Sequence, residues 1–538
     1  MMYNKGLFAD WLPKPAQLVL VLVFLLPILV VNGVYTGNIG YMSGSLGMPN
    51  SWLVFANYAG VVGMGVSMPV IFRYKLAFYT KYLMLRTFLV LALLSFIIGT
   101  TDSVGVIVIC TFFIGFFKMF ALIEVIMPVM MMISPKGDRA QFYGIFYPAA
   151  IIIPQVVGYL ATRVGFFSFW ENMHFYMAII MLFCALLTVV FMHNLRYDKK
   201  VPLKGVDWWG LFLYTTIFIA IAYFVSFAKQ LNYFRSENIV LAAVVIVVGI
   251  IFYAIHQRKV PMPFVDFRTL KNYNVIHGIM MLFMLGFFLA GSSLQSKITQ
   301  GILGYSTVLD NSFNLWMIPG IALGSVFSLK WLTKNKSLKI YILTGFTAFL
   351  VYYVLMYFLV SPNLSYELLI LPNILRGFGM AVLFIGVWLY ALSNLSMDAT
   401  LGVAAVLIIT RTMLGPAIWS LAFNYIDSIW NLEVMTNFAG KLDASAFSQQ
   451  GAMSLYKNLN LDALMISTKR IYGLLVLLGG AVLIYVSFLN LEGLGKRKLV
   501  LLRKRLKGQS VKGYKREVES ENEEEVKTEA TAASGTAV

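Results

Sequence analysis

Acidic residues are scarce in this 538-residue chain: 24 Asp and Glu stand against 42 Lys and Arg, and charged residues of both signs make up only 12%. A soluble domain carries about 25%, so most of this chain's surface does not face water. Cysteine is nearly absent. Cys110 and Cys184 both lie in apolar runs, which excludes a disulfide framework or a thiolate zinc site and leaves them as small buried hydrophobes. The four histidines, His174, His193, His256 and His277, show no metal-binding spacing. There are no paired carboxylates, no nucleophile motif and no phosphate-cradling glycine loop, and Asp427, Glu433, Asp443 and Asp462 are too dispersed to form a dyad. A polytopic acyl or glycosyl transferase, and enzymes generally, are disfavoured on that count. The net charge of +18 does not signal nucleic acid. Eleven of the basic residues fall in the tail from Lys496 to Lys527, and most of the others in alternate short loops.

What is present is apolar: hydrophobic residues reach 59% and the mean hydropathy is +0.79. Long apolar runs predict fourteen membrane-spanning helices, near 17–37, 51–72, 82–100, 104–133, 140–161, 174–193, 207–227, 238–257, 275–295, 311–329, 338–360, 366–392, 400–425 and 470–490. Each is close to the roughly 20 residues that cross a bilayer, and helices satisfy their own backbone in lipid. Lys5 and Lys14 precede a first run too long for a cleavable signal, with no small-residue cleavage site after it. If the N-terminus is cytoplasmic, the inner segments before the tail carry eighteen basic residues. These are Lys5, Lys14, Arg73, Lys75, Lys81, Lys136, Arg139, Arg196, Lys199, Lys200, Lys204, Arg258, Lys259, Arg268, Lys271, Lys330, Lys334 and Lys336. The outer loops carry seven: Arg163, Lys229, Arg235, Lys297, Lys441, Lys457 and Lys469. Positive residues stay inside, so both termini are expected in the cytoplasm.

Breaks at 194–206 and 258–274 divide the chain as six, two and six spans. The expected units are an N-terminal six-helix bundle (1–200), two inserted helices (201–260), a C-terminal six-helix bundle (261–495) with an outer loop at 426–469 that could hold one or two short interfacial helices, and a basic then acidic tail (496–538). Within that tail, 496–507 reads as a basic membrane-surface helix and 517–538 has the composition of a disordered segment.

Six short stretches carry a family likeness. Asp207-Trp208-Trp209-Gly210 opens the first inserted helix, Pro263-Phe264-Val265-Asp266-Phe267-Arg268 leads into the ninth span, and Leu303-Gly304-Tyr305-Ser306 precedes the tenth. Arg376-Gly377-Phe378-Gly379-Met380 opens the twelfth, Leu392-Ser393-Asn394-Leu395 closes it, and Arg411-Thr412-Met413-Leu414-Gly415 lies within the thirteenth. With these the chain resembles the fourteen-helix drug:proton antiporter branch of the major facilitator superfamily. The N-terminal half departs from that pattern. The loop at 69–81 keeps its basic residues but lacks the family's Gly and Asp-Arg pair. Ile153-Pro154 stands where the family has Gly-Pro, and Asn32 stands nearest the first-span Asp. The resemblance implies a secondary active transporter in a bacterial inner membrane. It would expel amphipathic organic compounds or drugs, use the proton gradient with no cofactor, and take a small-molecule substrate. A periplasmic adaptor and an outer-membrane duct are further implied partners. An importer or facilitator of the same fold, with other coupling, is the alternative that Asn32 and the altered loop support.

Charge inside a span costs about 2.5–3.5 kcal/mol on insertion scales, which singles out Lys118, Glu124, Arg376, Arg411 and, near an end, Arg86. Glu124 is the proton-coupling candidate, because desolvation disfavours a charged carboxylate; the competing reading is a structural ion pair. Lys118 is six residues away, about 240° around the helix, and is a candidate counter-charge facing a substrate cavity; the competing reading is a lysine paired to a neighbouring helix. Arg411 could orient a substrate carboxylate or bond carbonyls freed by Pro416. Arg376 shares a face with Gly379, Leu383 and Gly386 and is equally suited to packing. Asn32, Asn57, Ser292, Ser293 and Gln295 complete the cavity candidates, with interhelical hydrogen bonding as the alternative for each.

Overall fold

The computed structural model describes residues 7–9, 11–133, 139–194, 206–260, 263–265, 267–291, 293–334, 336–393, 395, 397–440, 452–489 and 491. Among them no β-strand occurs; Phe8 and Met192 form one isolated antiparallel bridge. Thirteen helices are long and apolar enough to cross a membrane, and a shorter apolar helix precedes them. The chain is therefore an all-α, multi-pass membrane protein.

The long helices are numbered in chain order. They are α1 (Lys14–Val30), α2 (Asn50–Ala77), α3 (Thr80–Thr100), α4 (Val104–Ile133), α5 (Arg139–Phe167), α6 (Glu171–Phe191), α7 (Trp208–Phe227) and α8 (Glu237–Lys259). The next is α9, which runs from Tyr273–Gly291 into a π-helical turn at Lys297–Ile302. Then come α10 (Met317–Leu332), α11 (Leu338–Leu359) and α12 (Ile370–Ala391). In α13, Met397–Ile409 and Gly415–Ala439 are joined by a π turn at Thr410–Leu414, and α14 is Ala452–Phe488. Odd-numbered helices start, and even-numbered ones finish, at what is called here the basic end of the bundle.

The packing partners repeat. In the first six helices α2 packs on α4, α3 on α6 and α1 on α5; in the last six α10 packs on α12, α11 on α14 and α9 on α13. The second helix of each set thus meets the fourth, the third the sixth, and the first the fifth. The second-to-fourth crossing is backbone-tight in both sets. A Cβ on Gly115 of α4 would run into the carbonyl oxygen of Gly60 on α2, and one on Gly377 of α12 would run into that of Met317 on α10. Small residues let membrane helices approach this closely, where apolar lipid gives no hydrophobic drive for association. The two sets then meet through exchanged pairs, α2 against α13 and α5 against α10. Gly65 packs on Ile409, Gly144 packs on Leu329, and Ser325 Oγ donates to the Gly144 carbonyl at 2.6 Å.

Helices α7 and α8 pack on each other and, through α7, on α2. Only 17% of the α8 window is buried, as expected for a helix facing lipid. A cleft of about 510 Å³ opens sideways between this pair and α2, lined by Phe55, Phe212, Ile219 and Tyr223 among others. Asp207 pins the pair. Its carboxylate accepts from the Gly210 N–H at 2.8 Å as the N-cap of α7, from His256 Nε2 of α8 at 2.7 Å, and from the Phe264 N–H ahead of α9 at 3.2 Å. Loss of a cap and of charged hydrogen bonds together costs about 2–4 kcal/mol. Asp207→Ala is therefore expected to lower the thermal midpoint of the purified protein, and an unchanged midpoint would rule the pin out.

Three sequence expectations change. The first span, expected over 17–37, ends as a helix at Val30 and is followed by a 3₁₀ turn at Thr36–Asn38 and a short helix at Ile39–Leu46. Pro27 lies inside its last turns. The ninth, expected to stop at 295, continues to Ile302, so Lys297 lies on its π turn and not in a loop. Most of the outer loop expected at 426–469 is helix: α13 reaches Ala439 and α14 starts at Ala452. The polar residues there, such as Asn424, Asp427, Ser428 and Asn431, interrupt hydropathy without breaking a helix. The 496–507 surface helix, the tail beyond it and Ser292 lie outside the described residues, as do 195–205 in the first domain break.

Candidate functional site

The candidates resolve into four places. The first is the broken end of α1. A helix leaves its last four carbonyls without internal partners, and here a lysine from another helix takes two of the oxygens near that end. Lys118 Nζ of α4 donates to the Leu29 carbonyl at 2.9 Å, to the Val31 carbonyl at 3.1 Å and to Asn32 Oδ1 at 3.1 Å. Lys118 is buried, at 7% exposure. All three ammonium protons have acceptors in the chain, as in the reading of a lysine paired to a neighbouring helix. Beside it lies a cavity of about 30 Å³ lined by Asn32, Gly33, Asn57, Gly60, Val61, Met64, Thr111, Ile114 and Gly115, room for one or two waters. Gly33 is required because a Cβ there would overlap the Thr111 side chain. Asn32, Asn57 and Lys118 are thus brought together.

The second place is near the basic end, where Glu124 Oε2 of α4 pairs with Lys75 Nζ of α2 at 3.0 Å. The side chains are 3% and 6% exposed. Glu124 Oε1 makes no hydrogen bond among the described residues. Lys118 and Glu124 do not meet, as their helical spacing predicts.

The third is Arg411, on the π turn of α13. π turns gather at functional positions in helices. Its guanidinium lies 4.5 Å from the Phe384 ring centroid and 5.8 Å from that of Trp388, both on α12. Trp388 in turn meets Tyr147 of α5 edge-on at 6.0 Å. No carboxylate pairs with Arg411 among the described residues. The cation is held by ring faces where the first six helices meet the last six.

The fourth is a polar network in the last six helices. Arg376 donates to Asn373 Oδ1 at 3.4 Å and to Asn314 Oδ1 at 3.3 Å. Tyr352 donates to Gln295 Oε1 at 3.2 Å and lies near Arg376. Gln295 and Arg376 therefore share a neighbouring tyrosine that the sequence reading did not single out. Ser293 Oγ bonds the Ala290 carbonyl at 2.7 Å. Along the next turn, Asp310 accepts from Ser296 at 2.8 Å, from Thr299 at 2.5 Å and from Gln300 at 2.8 Å, and Lys297 pairs with Asp427.

One further group was not anticipated. His174, fully buried on α6, packs against Tyr35 and Trp170 with ring centroids 5.4 and 5.7 Å away. Neither imidazole nitrogen, nor the Tyr35 hydroxyl, nor Trp170 Nε1 has a hydrogen-bond partner among the described residues. Burial pushes the Tyr35 phenol above its ordinary range. Aromatic and histidine positions scattered between two connections give no sequence signal for such a cluster.

Two exchanged sets of six helices, second on fourth and third on sixth, make a major-facilitator-like fold. Solved structures of low sequence similarity share it. A POT family transporter in complex with 5-aminolevulinic acid aligns with a TM-score of 0.55 at 13% identity, over 89% of this chain and 98% of that one. A bacterial homologue of the human lysosomal transporter Spinster, in an inward-facing and unoccupied conformation, aligns with a TM-score of 0.52 at 10% identity, over 88% and 98%. No protein-family model and no curated protein sequence matches the chain.

Proposed function

We propose that the chain is a secondary active transporter, and not an enzyme, that exports amphipathic organic compounds in exchange for protons by alternating access. The observation that carries the reading is Arg411. It sits at the seam between the two sets of helices, on an irregular turn, over two aromatic faces and without a carboxylate partner among the described residues. An amphipathic molecule with an acidic or polar head would find a guanidinium and ring faces together there. Coupling falls to Glu124: protonating it removes the charge that holds Lys75 at 3.0 Å, which frees α2 and α4 at the basic end. Asn32 and Asn57 in the first six helices and Gln295 and Arg376 in the last six are the cavity candidates of this reading; Ser292, a further sequence candidate, lies outside the described residues.

In this reading the bundle is 6+2+6, α1 counts as the fourteenth span, and both termini are cytoplasmic in a bacterial inner membrane. α13 and α14 are candidates for a periplasmic adaptor and outer-membrane duct. Their apolar stretches of 41 and 36 residues reach about 60 and 54 Å at 1.5 Å per residue, against about 30 Å of hydrocarbon.

Everted membrane vesicles with an imposed pH gradient test the function. Adding amphipathic substrates is expected to dissipate the gradient in the wild type, about tenfold less in Arg411→Ala, and not at all in Glu124→Gln. Dissipation by Glu124→Gln equal to wild type would remove Glu124 from coupling. A second reading, an importer or facilitator with other coupling, is favoured by Asn32, an amide where the resembling family has an acid. Inward uptake unaffected by collapse of the pH gradient would support it.

A further inference from the structure

The break in α1 has the chemistry of a site for a small monovalent cation. Three oxygens, two from main-chain carbonyls and one from the Asn32 amide, converge on one point at 2.9–3.1 Å from Lys118 Nζ. Unwound carbonyls and the negative end of a broken membrane helix are the groups with which membrane proteins coordinate alkali cations. Lys118 reaches this point from the middle of a neighbouring helix, at a cost of insertion that proteins rarely meet without a role. Among the described residues no carboxylate balances it: Glu124, on the same helix, is engaged with Lys75. The only compensation that the described residues offer is the oxygen cage itself. The cavity of about 30 Å³ that shares Asn32 with the cage can supply water to complete a coordination shell.

We propose that the broken end of α1 is a monovalent-cation site which the chain fills with its own amine. Lys118 is a tethered cation: its ammonium stands where a free sodium ion would otherwise bind, and it fixes α1 to α4. Two consequences follow from the geometry. The wild type needs no alkali cation, because the site is never vacant. Shortening the side chain exposes the cage, and a free cation then takes the place of the amine.

The test is the thermal midpoint of full-length protein in detergent, read in sodium, potassium, methylammonium and choline chlorides at equal ionic strength. Wild type is expected to be indifferent to the cation. Lys118→Ala is expected to melt lower in choline and to regain about 2–4 °C in sodium or methylammonium. Lys118→Met fills the space without charge and is expected to melt lower with no recovery, and adding Asn32→Ala to Lys118→Ala is expected to abolish the recovery. Equal midpoints of Lys118→Ala in all four salts would overturn the site. If Lys118→Ala does not yield folded protein, a wild type stabilised by sodium relative to choline would overturn it as well, since a filled site cannot take a second cation. These readings involve no transport. A protein that moves no substrate yet shows the recovery keeps the cation site and loses the transporter reading, and the reverse result separates them the other way.

Discussion

Glu124→Ala is expected to lower the folding free energy by about 3–5 kcal/mol, because it removes one partner of a buried ion pair. The pair is direct, at 3.0 Å, and its two side chains are almost wholly removed from solvent, so the discount that applies to surface ion pairs does not apply here. The cost reflects desolvation that the pair offsets only while both members are present. Replacing both residues with apolar side chains of similar volume, Lys75→Met with Glu124→Leu, is therefore expected to recover most of the loss. Reversible unfolding in mixed micelles measures all three proteins, and the double-mutant cycle isolates the coupling. A loss below about 1 kcal/mol in the single variant would show that the pair is hydrated and energetically ordinary. The stability loss and the coupling defect also separate: Glu124→Gln keeps an acceptor near Lys75 and should fold better than Glu124→Ala while failing equally in vesicles.

Gly115→Ala should be as severe through a different cause. The added methyl meets not a side chain that can swing away but the carbonyl oxygen of Gly60, whose backbone would have to shift. Overpacking against movable side chains costs about 1–3 kcal/mol; against a fixed backbone a loss beyond about 4 kcal/mol or failure to fold is expected. Gly158→Ala on α5 is the matched control. Its Cβ meets nothing within 4 Å, and alanine in a helix is favoured over glycine by about 1 kcal/mol, so its midpoint should hold or rise. If the two substitutions had equal effects, the close crossing of α2 and α4 would not be what orders these helices.

The helices were legible from apolar run length alone, because lipid allows the chain few alternatives. Their interruptions were less so. The end of α1 at Val30 is set by Pro27 and by an amine that lies far along the sequence, and hydropathy averages over both. The helical course of 426–439 and 452–469 was hidden for the opposite reason: a helix outside lipid needs no continuous apolar face, so its polar residues read as a loop. Among site residues, charge within a span drew attention to Lys118, Glu124, Arg376 and Arg411, since an ionised group in hydrocarbon must have a partner or a task. Which partner was not legible. Lys75 counts by sequence among the basic loop residues, and Tyr352 reaches Gln295 from another helix, which no spacing along one helix reveals. The repeat of packing partners between the first and last six helices has no counterpart in sequence identity that could have announced it. It is a property of backbone crossings, held by glycines at different offsets.

The anchoring of α1 also sets an order of events during synthesis. The oxygens of Leu29 and Val31 receive their donor from a residue 89 and 87 positions later in the chain. At about 5–20 residues per second, roughly 5–20 s pass between the emergence of the first helix and that of the lysine that completes its end. Through that interval the nascent α1 has carbonyls with no donor of their own, which favours a position near the headgroups, where water serves them. The first helix is then seated last among the first four, drawn to its final depth when α4 enters the bilayer.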